Sequence, residues 1–331
     1  MRPLGGSDVM VSPVIFGAWA VGGWMWGGAE ESDSIAAIQA SIDHGVTTID
    51  TAAVYGQGYG EEVVGRAIQG RRDQVQIATK CGMTWDIPGG SDPWETDDRD
   101  GAKITIRRNT RPDAIPIECE RSLQRLGVDV IDLYQVHWPD TTTPVEDTMA
   151  ALLKLQEQGK IRAIGVSNYD AAWIKRAAAA GLLASLQPPY SLIQRKIEPE
   201  ILPLCREHGI GLIVYSPLER GLLTGKVTPD REFPAGDHRA KHKFFTRENR
   251  QLVLDSLRTI QPIADQHRVS LAQVVINWTI QEPGITAALV GARNVEQAVH
   301  NAAALDFTLS EAERAEIRQA FDPTSASMMA K

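Results

Sequence analysis

Eight short apolar runs, most of them closed by a polar residue and followed by a helical segment, constrain this chain more than any other feature. The runs are Val11–Trp19, Thr47–Asp50, Val75–Lys80, Ile131–His137, Ile161–Ser167, Ser185–Gln187, Gly211–Ser216 and Thr286–Val290. They have strand length, and most are rich in β-branched residues. Between them apolar residues recur at helical spacing: Ile35, Ile38 and Ile42; Ile115, Cys119, Leu123 and Leu126; Met149, Leu152 and Leu153. Glycines stand where these and later helices should stop, at Gly45, Gly127, Gly159, Gly181 and Gly209. Gly45 can close its helix in a left-handed conformation. Strands that alternate with helices are parallel strands joined by crossovers. Eight such units close on themselves, so the expected fold is α/β, a (β/α)8 TIM barrel. An open doubly wound sheet lacks its main sequence support, because no Gly-x-Gly-x-x-Gly follows the first strand.

The remaining segments decorate that frame. Arg2–Pro13 carries Gly5-Gly6-Ser7-Asp8 between short stretches and reads as an N-terminal hairpin. Two long loops, Cys81–Thr110 and Pro217–Thr246, follow strands and so belong at the carboxyl-terminal face. A short helix is expected over Ser310–Ala320, with a mobile Ser/Met/Ala end. At 331 residues the chain fits one barrel domain spanning 1–331, since such barrels run to ~250 residues before insertions.

Composition narrows the function. A net charge of -8 with no long basic run argues against nucleic acid and anionic membrane surfaces as partners. Three cysteines, Cys81, Cys119 and Cys205, without a Cys-x-x-Cys pair, fit a reducing compartment. Neither a signal peptide nor an apolar run of membrane-spanning length is evident. The expectation is a cytoplasmic enzyme of unspecified oligomeric state.

Four polar residues collect at the carboxyl ends of neighbouring strands: Asp50, Tyr55, Lys80 and His137. Taken singly, a Lys ending a strand reads as a surface charge and an Asp before Thr-Ala as a turn former. Together they bring an acid, a phenol, an amine and an imidazole to one rim. A buried Lys80 needs a counter-ion, and Asp50 on the adjacent strand supplies one. A free phenol has a pKa of ~10, too high for acid-base work at neutral pH, and a neighbouring ammonium is expected to lower that of Tyr55. His137 can donate to the same substrate oxygen. Such a set suits proton donation to a carbonyl oxygen. No Ser or Cys is paired with a base, and no second His stands near His137, so neither a covalent nucleophile nor a metal centre is expected. Cys81 reads as a small packed residue, and His238 and His242 as solvated.

These motifs resemble the aldo-keto reductase family over nearly the whole chain. The resemblance rests on Asp50-Thr51-Ala52 with Tyr55-Gly56, Thr79-Lys80, Val136-His137-Trp138, Gly165-Val166-Ser167-Asn168, and Tyr215-Ser216-Pro217-Leu218 with Gly221-Leu222-Leu223-Thr224-Gly225-Lys226. It is nearest to bacterial members and the potassium-channel β-subunit branch. The resemblance implies a catalytic tetrad of Asp50, Tyr55, Lys80 and His137. It also implies NAD(P)H bound without a Rossmann domain. Ser167, Asn168 and Gln187 would hold the carboxamide, and Tyr215 would stack on the nicotinamide. Trp19 and Ser216 fall among the cofactor residues, and Asp50 would touch the ribose. Leu218, Arg220, Gly221, Leu223 and Lys226 would line the pyrophosphate through backbone N–H groups and a guanidinium. Gly291 and Arg293 open the last helix, where Arg293 would pair with a 2′-phosphate and Gln297 and Asn301 with the adenine end. NADP(H) is therefore expected over NAD(H). Many relatives have a Lys-Ser or Pro-Lys pair near that phosphate, where Gly291-Ala292-Arg293 stands here.

Trp24, Trp26, Trp85 and Trp138 are candidates for the substrate pocket, which an aromatic lining opens to small aldehydes and ketones. The expected reaction is reversible hydride transfer between NADPH and a small carbonyl or alcohol, with Tyr55 as general acid. The alternative is an NADP(H)-binding sensor or regulatory subunit with very slow turnover.

Overall fold

A computed structural model of the chain describes residues 1–23, 30–233 and 237–329. The chain opens with a hairpin, β1 (Arg2–Pro3) and β2 (Met10–Val11). The barrel starts with β3 (Val14–Gly17), α1 (Glu31–Asp43), β4 (Thr48–Asp50), α2 (Tyr59–Ala67) and β5 (Gln76–Cys81). A small antiparallel sheet of β6 (Met83–Thr84), β7 (Ser91–Asp97) and β8 (Lys103–Arg108) follows, with β8 in the middle. The alternation resumes with α3 (Ala114–Leu126), β9 (Ile131–Val136), α4 (Val145–Glu157), β10 (Ile161–Ser167), α5 (Ala171–Ala180), β11 (Ser185–Gln187), α6 (Ile201–Glu207) and β12 (Gly211–Val214). The chain ends with α7 (Arg247–Thr259), α8 (Gln261–His267), α9 (Leu271–Gln281), β13 (Ile285–Val290), α10 (Val295–Ala302) and α11 (Glu311–Met329).

Eight strands close in the order β10-β11-β12-β13-β3-β4-β5-β9. Every pairing is parallel. The expected (β/α)8 barrel and N-terminal hairpin are both present. Strand parity fixes what faces inward. Ile15, Ala78, Leu133, Ala163, Ile213, Ala287 and Leu289 fill the interior, together with Leu4, Val9 and Val11 of the hairpin. The hairpin thus plugs one mouth, and the Arg2 guanidinium ties it to the carbonyls of Ile280 and Thr286 at 2.6 and 3.1 Å. Further along the strands, the same parity delivers Lys80, Gln135, Ser167 and Tyr215 to the other mouth, where Asp50 and Gln187 join them. Residues of opposite parity anchor the strands to the helices. Thr79 donates to the buried Glu61 on α2 at 2.6 Å, and Glu61 accepts from Arg125 on α3 at 2.7 Å.

The structure departs from the sequence expectations at four places. The first barrel strand is Val14–Gly17, not Val11–Trp19. Pro13 has no N–H to give, so Val11 pairs in the hairpin and the barrel ladder starts after it; Trp19 lies in a 3-10 turn, Ala18–Ala20. The long loop after β5 folds into the three-stranded sheet. The second long loop, after β12, contains three 3-10 turns. The C-terminal end is a packed helix rather than a mobile tail. Thr324, Ser325 and Met328 are buried; Thr324 bonds Ser256 of α7 at 2.9 Å and Ser325 accepts from Arg195 at 3.2 Å. Gly45 closes α1 at φ 83, as expected.

Glu118 on α3 supports the segment that follows Lys80. Both its carboxylate oxygens accept from the Gly82 amide, at 3.0 and 3.1 Å. Burial pushes its carboxyl up to about 8. The folded state therefore holds a proton that the unfolded chain releases near the ordinary value of 4.5, and stability falls as pH rises from there towards 8. Glu118→Gln keeps an acceptor for Gly82 and removes the titration. Urea unfolding at pH 5 and pH 8 should show the variant gaining on the native chain by about 1–3 kcal/mol at the higher pH. A parallel pH dependence in both proteins would contradict this.

Candidate active site

At the open mouth Lys80, on β5, donates to Asp50 Oδ1 on β4 at 2.5 Å and to the Thr51 carbonyl at 2.9 Å. Both side chains are 2% exposed as residues. Asp50 Oδ2 accepts from Gln135 Nε2 at 3.1 Å and Gln187 Nε2 at 2.9 Å, and Gln187 also donates to Gln135 Oε1 at 3.1 Å. A buried ion pair is tolerable only when its spare hydrogen-bonding capacity is met, and this one is enclosed on every described side. Gln135 was not singled out from sequence, although it stands two residues before His137 and shares its inward parity.

Tyr55 lies just past β4, over that pair. The Lys80 ammonium sits 5.2 Å from the Tyr55 ring centroid. The His137 ring meets Tyr55 edge-on at 5.8 Å, and Trp19 lies at 6.4 Å on a tilted plane. Among the described residues neither the Tyr55 hydroxyl nor the His137 ring nitrogens has a hydrogen-bond partner. Burial and the Asp50 carboxylate push the Tyr55 phenol well above its ordinary value. This corrects the expectation that Lys80 lowers it. The ammonium gives its hydrogen bonds to Asp50 and the Thr51 carbonyl, and burial with the Asp50 charge is the larger effect on the phenol. Burial likewise lowers Lys80 itself. Burial and the Lys80 charge push His137 well below 6.5, so its imidazole is neutral. The mouth thus holds a neutral phenol and a neutral imidazole, both able to donate to one oxygen.

The backbone holds Tyr55 closely. A Cβ on Gly22 would stand 2.7 Å from the Tyr55 carbonyl carbon and 2.8 Å from its Cβ. Gly22→Ala should therefore push the phenol out of place and lower kcat by about 10–100-fold, with circular dichroism unchanged. An unaltered kcat would mean that the turn yields without moving Tyr55.

Next to this cluster, Ser167 donates to the Gln187 carbonyl at 2.7 Å. Asn168, at φ 60, donates to the His137 carbonyl and to Ser167 Oγ at 3.0 Å each, and accepts from the Tyr215 hydroxyl at 3.0 Å. The turn after β12 holds four residues at positive φ: Ser216, Glu219, Arg220 and Gly221. The amides of Gly221 and Leu223 donate to the Leu218 carbonyl at 3.0 and 3.2 Å. They are committed inside the turn, and Leu223 is fully buried, so the anion-directed group there is the Arg220 guanidinium. Among the described residues its Nε has no partner, and its Nη1 lies 3.1 Å from His242 Nε2 and 3.8 Å from Glu219 Oε2. His242 is therefore packed between Arg220 and two phenylalanine rings, not solvated as expected; the His238 side chain lies outside what is described. Glu219, unnoticed in the sequence, is fully buried, accepts from Ser191 at 2.8 Å and is pushed up to about 7 by burial. Lys226 is exposed beyond the turn.

Helix α10 and the loop before it hold the adenylate candidates. Asn294 caps α10, Gln297 accepts from the Arg293 amide at 3.0 Å, and Asn301 donates to the Gly291 carbonyl at 3.0 Å. Arg293 is exposed and, among the described residues, in no ion pair. Of the pocket tryptophans, Trp85 and Trp138 pack in one cluster with Tyr55, Val54, Met83, Ile106 and Trp94. Trp24 and Trp26 lie outside the described residues.

A model of the Aldo/keto reductase family matches residues 13–322. The chain belongs to the aldo-keto reductases. It is 38% identical over 323 residues to the NADH-specific methylglyoxal reductase of Escherichia coli, over 96% of this chain and 97% of that one. Its fold matches a glycerol dehydrogenase of Gluconobacter oxydans with a TM-score of 0.87 at 35% identity, over 100% of this chain and 96% of that one. An aldo/keto reductase of Klebsiella pneumoniae, solved in complex with NADP and acetate, matches with a TM-score of 0.70 at 30% identity, over 97% and 95% of the two chains.

Aldo-keto reductases bind a nicotinamide cofactor, and the residues here suit one. Gly221, at φ +91, has no atom within 4 Å of where a Cβ would stand, so its backbone borders open space. The partnerless Arg220 Nε lies in the same turn. Tyr215 offers a half-buried ring beside the polar Ser167–Asn168–Gln187 group, an aromatic face next to amide-matching donors and acceptors. Among the described residues no helix is long and apolar enough to cross a membrane.

Proposed function

We propose that this protein reduces small aldehydes and ketones to alcohols, with NADPH preferred over NADH and Tyr55 as the proton donor. The observation that carries the reading is the convergence of two polar groups without partners among the described residues, the Tyr55 hydroxyl and the His137 ring, beside the aromatic cluster of Trp85, Trp94 and Trp138. The carbonyl oxygen accepts from both. When bound, the nicotinamide supplies the hydride to the carbonyl carbon. Tyr55 gives its proton to the oxygen as charge builds there. The Lys80 ammonium over its ring stabilises the phenolate that remains, and Asp50, Gln135 and Gln187 hold that ammonium in place. His137, neutral, orients the carbonyl without competing for the proton. Ser167, Asn168 and Gln187 would hold the carboxamide, with Trp19 and Tyr215 flanking the ring. Arg220, with Ser216, Leu218, Gly221, Leu223 and Lys226 around it, would face the pyrophosphate. Gly291, Arg293, Gln297 and Asn301 would take the adenylate end. Three buried free thiols suit a reducing compartment, in keeping with a cytoplasmic enzyme.

The preference for NADPH rests on Arg293, exposed and in no ion pair among the described residues, at the start of α10 where a 2′-phosphate would sit. The name of the Escherichia coli relative points the other way, so cofactor choice is the sharper half of the reading. Steady-state reduction of a panel of small carbonyls with both cofactors tests it. NADPH should give kcat/KM higher by about 10–100-fold, the scale of one charge-assisted contact. Equal efficiency, or a preference for NADH, removes the role of Arg293. Tight cofactor binding with negligible turnover across the panel favours a regulatory subunit instead.

A further inference from the structure

Arg108 is a charged group that the reduction chemistry leaves unused. It ends β8 at the barrel-proximal edge of the small sheet, opposite Met83 and Ser91. Its guanidinium lies 4.8 Å from the Trp138 ring centroid. Trp138 directly follows His137 and packs in the cluster that holds Tyr55. A cation on that ring therefore stands one ring from the cluster that holds Tyr55. The other ion pair of the sheet, Lys103 with Asp97, lies at its far end.

The present partner of Arg108 is the carboxylate of Asp92, at 2.8 Å. Asp92 is half-exposed and sits at φ 45, in an irregular stretch of the β7–β8 ladder. A non-glycine residue in that region is strained by about 1 kcal/mol or more. The contact is thus a carboxylate held on a guanidinium by a strained, solvent-reaching residue. A free carboxylate can take that place without leaving a buried charge behind. The rest of the cleft does not oppose an anion. His137 is neutral, and the Asp50 charge is covered by Lys80, Gln135 and Gln187.

Resting on the reductase reading, we propose that Arg108 makes carbonyl compounds bearing a carboxylate the preferred substrates, with Asp92 as the internal placeholder that the substrate displaces. The planar fork of arginine matches a carboxylate with two parallel hydrogen bonds, and its stacking on Trp138 fixes the plane.

The test is paired kinetics with the NADPH-loaded enzyme: 4-carboxybenzaldehyde against benzaldehyde, and succinic semialdehyde against butanal. The carboxylate member should have the higher kcat/KM by about 10–100-fold, chiefly through KM, with the gap shrinking as salt is added. Arg108→Met should lower kcat/KM for the carboxylate members only. Asp92→Asn, which removes the competitor and keeps the guanidinium, should widen the gap, and it remains informative if the arginine variant folds poorly. Turnover of both members without discrimination, or an Arg108→Met loss shared equally by neutral substrates, overturns this inference and leaves the reductase reading intact. No turnover of any member overturns both.

Discussion

Tyr55→Phe lowers carbonyl reduction by about 10²–10⁴-fold, the usual worth of a positioned proton donor, and leaves cofactor affinity nearly unchanged. The substitution takes away one oxygen and nothing else that the fold uses. The ring contacts with Trp19, His137 and the Lys80 ammonium involve the ring itself. The hydroxyl has no partner among the described residues, so its loss strands no buried donor or acceptor and stability should hold. Cofactor titration by tryptophan fluorescence and single-turnover kinetics separate binding from chemistry. If the Phe variant keeps its rate, another group gives the proton and the reading of the site fails. If cofactor affinity falls with the rate, Tyr55 shapes the cofactor cleft instead of reacting in it. The raised phenol pKa sharpens the expectation. Tyr55 stays protonated through neutral pH, as a donor must, and acquires its acidity only as the carbonyl oxygen becomes basic.

How much of this was legible in the sequence depends on what each signal measures. Apolar runs of strand length showed the eight strands, and their carboxyl ends placed Asp50, Lys80 and His137 at one mouth, whereas Gln187 and Tyr215 entered only through the family resemblance. Strand parity, run back from His137, would have added Gln135. The Lys80–Asp50 pair followed as well. The direction of the Tyr55 shift did not, because burial of the phenol depends on packing that no spacing encodes. The small sheet was hidden because β7, Ser-Asp-Pro-Trp-Glu-Thr-Asp, is polar and carries a proline. Such composition suits an exposed edge strand and reads as loop. The end of α11 was hidden for a related reason. Its Thr and Ser hydroxyls bury against Ser256 and Arg195, partners far away in the chain, while composition alone reads as a disordered tail.

Lys80→Met should be the most damaging substitution at the mouth for stability, at about 3–5 kcal/mol, because it leaves the Asp50 charge buried and short of its main partner. Asp50 would keep only the two amide donors of Gln135 and Gln187. Asp50→Asn should cost a similar amount, since the ammonium would be left with the Thr51 carbonyl and an amide oxygen. The double variant separates the two purposes the pair can serve. With both charges gone, the uncompensated burial goes too, and urea unfolding should recover most of the loss. Catalysis should not recover. Without an ammonium over its ring, the Tyr55 phenolate that remains after proton transfer loses its neighbouring positive charge. Recovery of stability without recovery of rate therefore identifies a pair kept for its field at Tyr55. Recovery of both would show that the ion pair only fills space between β4 and β5, and that proton transfer draws on some other charge.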